Sequence, residues 1–257
     1  MNAPMDPSLA IMHAAVLLAA LVQSATGIGF GLIACPVILI VVNTGSAIQI
    51  AILLSLLVAL ILAPPLYQHA PKPFLGRMAL GTIAGLPLGI LAFQSVDVDT
   101  LKVGVGVCVV LTAVSVVNRL MRTRQPGAHP GNTVYDILTG VVSGAMSVSL
   151  AMPGPPAAAR MAILALSKEQ IRSTSLVLFT FSYAAAFAVQ WALVGVTPGT
   201  LSLTLSLIPA TLIGIYLGRQ AVAWISERTF LWIIAAILTA TAFTMLVPFA
   251  IQAINHA

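Results

Sequence analysis

The chain has 257 residues, 60% of them hydrophobic and 7% charged, with a mean hydropathy of +1.07. A soluble domain carries about a quarter charged residues, so this composition describes an integral membrane protein. The net charge of +5 does not point to nucleic acid, because the Lys and Arg residues flank apolar runs, where they orient helices and meet anionic headgroups.

No strand-length alternation of apolar and polar residues is present, which argues against a barrel and for an all-α membrane fold. The N-terminus lacks a basic leader region and carries Asp6, so residues 8–26 read as a retained segment and not a cleaved signal. Residues 8–42 are too long for one helix and are interrupted by "GIGFG". Spans are expected next at 46–66, 74–94 and 100–120. A polar linker follows at 121–133, then a second overlong segment at 134–167, interrupted by "SGAMSVSLAMPGPP". Three more spans are expected at 173–195, 199–217 and 230–250. Pro87 and Pro209 fall inside spans and predict kinks, with Pro209 close to the second broken segment.

The two halves share this order of features. An offset of 117 lays Thr26-Gly27 on Ser143-Gly144, Ala34 on Ala151 and Pro36 on Pro153. An offset of 129 lays Thr82, Gly85, Leu88 and Gly89 on Thr211, Gly214, Leu217 and Gly218. The pattern reads as a duplication, residues 1–120 and 134–257, each a broken segment followed by three spans. Charge tests the orientation of the halves. If each broken segment is a hairpin, Lys72, Arg77, Arg119, Arg122, Arg124, Arg160, Lys168, Arg172, Arg219 and Arg228 share one face. Only Lys102 takes the other. Ten against one favours inverted halves with both termini periplasmic and the linker cytoplasmic.

Irregular backbone at membrane depth survives only where protein buries it or a cavity solvates it. The helix leaving each break has free N–H groups and a positive dipole end, which suits an anion. The candidate substrate-binding residues are therefore Gln23, Ser24, Thr26, Gly27, Gly29, Gly31 and Cys35 from the first segment. From the second and its surroundings come Ser143, Gly144, Ser147, Ser149, Pro153, Gly154, Arg160 and Arg172. Gly27, Gly29 and Gly31 are expected to face Gly144, Ser147 and Ser149 across a midplane cavity. Gly29→Val should then abolish binding without unfolding the protein. The competing reading makes the glycines close helix contacts, and makes Arg160 and Arg172 topology markers at the inner face.

Asp6, Asp97, Asp99, Asp136, Glu169 and Glu227 all fall in expected loops or segment ends, which disfavours cation transport and a carboxylate proton relay. His13 is the one histidine inside an expected span. Cys35 and Cys108 lie in apolar stretches and give neither a disulfide framework nor a metal spacing.

The segments "QSATGIGFGLIACPVIL" and "GVVSGAMSVSLAMPGPP", with the spacing of the spans, resemble those of the TauE/SafE sulfite-exporter family of membrane permeases. The likeness covers essentially the whole chain. It implies transport of small organosulfur or carboxylate anions across the bacterial cytoplasmic (inner) membrane. This chain has Phe30 where the family often carries consecutive glycines, and Ser147 and Ser149 where glycines are expected, so the particular substrate stays open. The expected protein is thus a secondary transporter for sulfite, a sulfonate such as sulfoacetate, isethionate or taurine, or a short carboxylate. Its expected partners are that anion and membrane lipid, with a homodimer as a possible assembly and with no nucleic acid, cofactor or metal. The other readings are an anion channel and a membrane-embedded enzyme or assembly subunit, though no HExxH, nucleophile elbow or nucleotide loop is present.

Overall fold

The computed structural model describes residues 7–121, 131–164 and 166–224. The expected span 230–250, together with Asp6, Arg122, Arg124, Glu227 and Arg228, lies outside the described residues. Within them the chain is all helix: α1 (Pro7–Thr26), α2 (Phe30–Val42), α3 (Ser46–Leu62), α4 (Lys72–Ser95) and α5 (Val98–Met121) form the first half. The second half holds α6 (Thr133–Leu150), α7 (Gly154–Ile163), α8 (Lys168–Leu193) and α9 (Pro198–Trp224). A 3-10 turn, Pro64–His69, links α3 to α4. By length and composition, five helices can each cross a membrane: Pro7–Thr26, Lys72–Ser95, Thr133–Leu150, Glu169–Leu193 and Pro198–Ala221. This is a multi-pass membrane protein.

Both overlong segments are broken, and the backbone shows why. Gly27 takes a left-handed conformation (φ 85°) and closes α1 by donating its N–H to the Gln23 carbonyl at 2.7 Å. Gly29 (φ 130°) then opens α2 from a conformation open only to glycine at little cost. In the second segment Ala151 is left-handed (φ 56°), and the Met152 N–H reaches back to the Met146 carbonyl at 3.1 Å. Pro153 cannot continue the helix, whereas Pro155 and Pro156 fit the first turn of α7.

The left-handed residues Gly27 and Ala151 stand 124 positions apart, so the 117 offset between the broken segments is corrected by about two helical turns. Its cause lies in the serines. Ser147 donates to Gly144 O at 2.7 Å and Ser149 to Ala145 O at 2.8 Å. Bonding their own helix lets α6 run unbroken through the stretch that reads as an interruption.

Packing is reciprocal between the halves. α4 lies along α6, and α9 along α1. Gly81, Gly85 and Gly89 of α4 abut the backbone of Ile137, Val141 and Ala145 in rising order, so those two helices run parallel. Gly214 and Gly218 of α9 abut Leu17 and Leu21 of α1 in the same sense. Small residues let the backbones approach, the usual device where lipid supplies no hydrophobic drive. His13 also bridges the second pair, its ring nitrogens 2.8 Å from Leu9 O and 3.1 Å from Ser206 O. Pro87 and Pro209 do lie inside helices. However, α9 packs on α1 and α3, so Pro209 belongs beside the first broken segment, not the second.

Charge sorts to the two ends of the bundle. Arg77 and Arg160 both reach Asp136, and His69 lies 3.5 Å from Glu169, three residues before Arg172. Lys102 pairs with Asp99 near Gly104, which touches Leu150 at the other end of α6 from Asp136.

Candidate functional site

The two breaks meet each other. A side chain at Gly31 would run into the Ala151 carbonyl, and one at Gly154 would lie 2.9 Å from Ile28 Cγ2 and 3.3 Å from the Phe179 ring. Ile28, Gly29, Gly31 and Leu32 from the first break join Met152, Gly154 and Pro155 from the second around one small cavity. Phe179 and Tyr183 of α8 close it. Both lie near the middle of the Glu169–Leu193 span, which sets the cavity near mid-depth. Its volume, about 10 Å³, is marginal even for one water. No organic anion fits until the surrounding helices move apart.

The polar groups at the two breaks are unequal. At the first, the Gln23 Oε1 accepts from the Phe30 N–H at 3.2 Å, capping α2 from within the core. The Gln23 Nε2 is buried with no partner. Gly31 and Leu32 follow in the first turn of α2, where amides have no partner within the helix. At the second break α7 begins Gly-Pro-Pro, and proline has no N–H to offer. The expectation of free N–H groups at the helix leaving each break is therefore corrected for the second break, and the first supplies most of the N–H groups.

What the second break offers is carbonyls, and they are taken. Gln190 Nε2 donates to Val148 O at 2.6 Å, Cys35 Sγ to Leu150 O at 3.5 Å, and the Tyr183 hydroxyl to Ala151 O at 3.1 Å. Ser143 donates to Pro153 O at 2.6 Å, tying α6 to the break. The Thr26 hydroxyl sits 2.8 Å from Val22 O and 2.6 Å from Ile28 O and accepts from the Ile28 N–H. It holds the first break in shape.

The arginines have other partners. Arg160 Nε donates to Asp136 Oδ1 at 2.7 Å and Arg77 Nε to Oδ2 at 2.8 Å, with Asp136 fully buried. Asp136 stands at a segment end, as the sequence suggests, yet it is buried and not solvated. It lies in the first turn of α6 and joins α4, α6 and α7 at the basic end of the bundle. Arg172 turns its guanidinium onto the Ser24 carbonyl, donating from Nε at 3.1 Å and Nη2 at 2.9 Å. It caps the C-terminal end of α1, a turn below the first break.

The sequence profile described as Sulfite exporter TauE/SafE matches residues 12–245, which takes in both breaks and every helix that carries the cavity. The chain belongs to the TauE/SafE sulfite exporter family. No curated protein and no solved structure matches it.

For this TauE/SafE chain the candidate residues sort as follows. Gly29, Gly31 and Gly154 line the cavity, and Gln23 and Pro153 stand at the break each belongs to. Gly27 packs against the Arg172 backbone, 2.8 Å from its carbonyl. Gly144 packs against Thr82 of α4, and Ser147 and Ser149 bond their own helix. Gly27, Gly29 and Gly31 therefore do not face Gly144, Ser147 and Ser149: Gly27 meets Arg172, while Gly29 and Gly31 share the cavity with Met152 and Gly154. Gly29 is also a poor place for a branched side chain, since its φ of 130° is strained and Val22 Cγ1 lies 2.8 Å from the added carbon. Gly29→Val should destabilise the fold, contrary to the expectation from sequence. Phe179, Tyr183, Ile28, Leu32 and Met152 escaped sequence reasoning. Only their proximity to the breaks in space marks them, and apolar residues in an apolar chain carry no signal of their own.

Proposed function

We propose that the chain is a secondary transporter for a small organic or sulfur-containing oxyanion, bound where its two broken helices meet. The candidates are sulfite, a sulfonate such as sulfoacetate, isethionate or taurine, and a short carboxylate. One observation carries this: both breaks converge on one cavity at mid-depth, and the helix that opens from the first is capped by Gln23, whose buried Nε2 is an unpartnered donor. The N-terminus of α2 and the Gln23 amide favour an acceptor-rich, negatively charged ligand. Arg172 stands on the basic side of that cavity, its guanidinium held on the Ser24 carbonyl. A closed cavity suits a carrier, which must occlude its ligand between openings, better than a channel.

The reading includes inverted halves. The parallel run of α4 and α8, whose starts meet at His69–Glu169 and whose ends meet at Gln94–Leu193, supports it, as does the separation of Lys102 from Arg77 and Arg160. By the positive-inside rule the basic end faces the cytoplasm and both termini the periplasm of a bacterial inner membrane.

Purified protein in proteoliposomes tests the reading. Preloading with isethionate, sulfoacetate, taurine, sulfite or acetate should drive counter-flow of the same labelled anion, and uptake should saturate. Saturable uptake without counter-flow would mean a channel. No flux of any of the five would overturn the assignment of substrate class.

A further inference from the structure

Buried hydroxyls in most of this bundle satisfy themselves on the carbonyl a turn earlier in their own helix. Thr82 bonds Met78 O, Thr204 bonds Thr200 O and Thr211 bonds Leu207 O, all between 2.7 and 3.0 Å. Even on α8, Ser173 and Thr180 do the same, with Gln170 O and Leu176 O. Against that habit, seven buried side-chain atoms among the described residues have no partner, and all seven fall on α1, α3 and α8. On α8 they include Ser175 and Ser182, seven residues and about two turns apart. Ser175 stands a turn before Phe179 and Ser182 directly before Tyr183, the two α8 residues at the cavity, so all four share the inward side of one helix. Ser55 of α3 lies beside the Tyr183 hydroxyl.

The row has a direction and a length. It starts at Arg172, passes Ser175, Ser182 and Tyr183, and ends at Gln190, whose Oε1 is also unpartnered. Eighteen residues of helix cover about 27 Å, nearly the hydrocarbon thickness of about 30 Å. No carboxylate lies on α1 or α3, and the one on α8, Glu169, is exposed in the first turn. A hydroxyl that could bond its own helix and does not is free to bond something else.

We propose that this inward face of α8, with Ser55 opposite, is the wall of the path the anion takes, its hydroxyls donating to ligand oxygens once the bundle opens. This rests on the transporter reading above and extends it from one cavity to a track. The chemistry fits an oxyanion with several acceptor oxygens, such as a sulfonate, handed from hydroxyl to hydroxyl away from Arg172. It does not fit a metal cation, for which the track has no carboxylate.

Two measurements test the track. The first is the Ser175→Ala/Ser182→Ala double variant, melted in detergent and assayed for isethionate uptake in proteoliposomes beside Gln23→Glu. Because no hydrogen bond is lost, the double variant should melt at or above the native temperature while uptake falls at least tenfold. Native uptake in a folded double variant, with uptake lost in Gln23→Glu, would overturn the track and leave the cavity site standing. The second measurement needs no transport. Ser175→Cys and Ser182→Cys, made singly with both native cysteines replaced by alanine, are treated in membranes with an anionic methanethiosulfonate, beside Thr204→Cys as a bonded control. Labelling at 175 and 182 but not at 204, slowed by isethionate, is expected. If neither position labels, water and anions do not reach this face and the proposal falls, whether or not the protein carries isethionate.

Discussion

Gln23 carries the sharpest test of the cavity site, because its two amide atoms do different things. Oε1 caps α2 through the Phe30 N–H, and Nε2 is the spare donor. Gln23→Glu keeps an acceptor for Phe30 while replacing the donor with a second oxygen that repels anions. Loss of a hydrogen bond to a charged group is worth about 1.5–3 kcal/mol, or roughly 10- to 150-fold in affinity. Isothermal titration with isethionate or sulfite should show at least that loss, and a detergent melt should show in addition the cost of a carboxylate at a fully buried position. Gly27 tests the opposite property. Its left-handed backbone lies against the Arg172 backbone, so Gly27→Ala should destabilise the protein by about 1–3 kcal/mol. A thermal melt in detergent checks this, and an unchanged melt would mean that the break tolerates rearrangement. The chemistry of Gln23 was legible in the sequence as a buried amide in an apolar run. Which of its atoms is engaged was not, because that depends on where the chain turns seven residues later.

At the scale of helices, both segments expected to break do break, and what fills the breaks differs from the expectation. Glycine and proline mark the breaks because they are the residues a helix tolerates least. Serine misleads, since inside a membrane helix it bonds its own backbone and leaves the helix intact, as Ser147 and Ser149 do. Glycines at four-residue spacing read equally well as site or seam, and only contacts decide. Gly85 and Gly144 prove to be seam, and Gly31 lies where both breaks touch. Asp136 shows the limit of position as a guide, because a carboxylate at a segment end reads as solvated. Here it holds α4, α6 and α7 together through Arg77 and Arg160. Breaking a buried ion pair by removing one partner costs about 3–5 kcal/mol. Asp136→Asn, which leaves two guanidiniums facing each other, should lower stability by about that much in a detergent melt. Asp136→Leu combined with Arg160→Leu should recover part of the loss. If Arg160 acts through this pair and not on the ligand, Arg160→Gln should reduce the amount of folded protein yet leave the KM of uptake near native. A large rise in KM would return Arg160 to the site.

The whole molecule poses a question of orientation that its contacts narrow without a membrane. His69, just before α4, meets Glu169 at the start of α8, so both belong to the end that also holds Arg77, Asp136 and Arg160. At the other end, Gln49 at the start of α3 donates to Gly195 O at 2.9 Å, and Gln94 near the end of α4 donates to Leu193 O at 3.3 Å. The α8–α9 connection therefore lies across the bundle from the basic cluster. Charge decides which end is inside, since basic residues are retained on the cytoplasmic side of short loops. With both native cysteines replaced by alanine, His69→Cys should react with a membrane-impermeant maleimide only in inside-out vesicles. Thr197→Cys should react only in intact, right-side-out preparations. Labelling of both from one side would break the helix order itself, whereas exchange of the two results would keep the fold and invert the protein. Inversion would put Gln190 at the cytoplasmic end of the proposed path and Arg172 at its periplasmic end. An anion leaving the cell along that path would then meet Gln190 first, the cavity next and Arg172 last, so this one labelling pattern also fixes the order in which the proposed donors would be met.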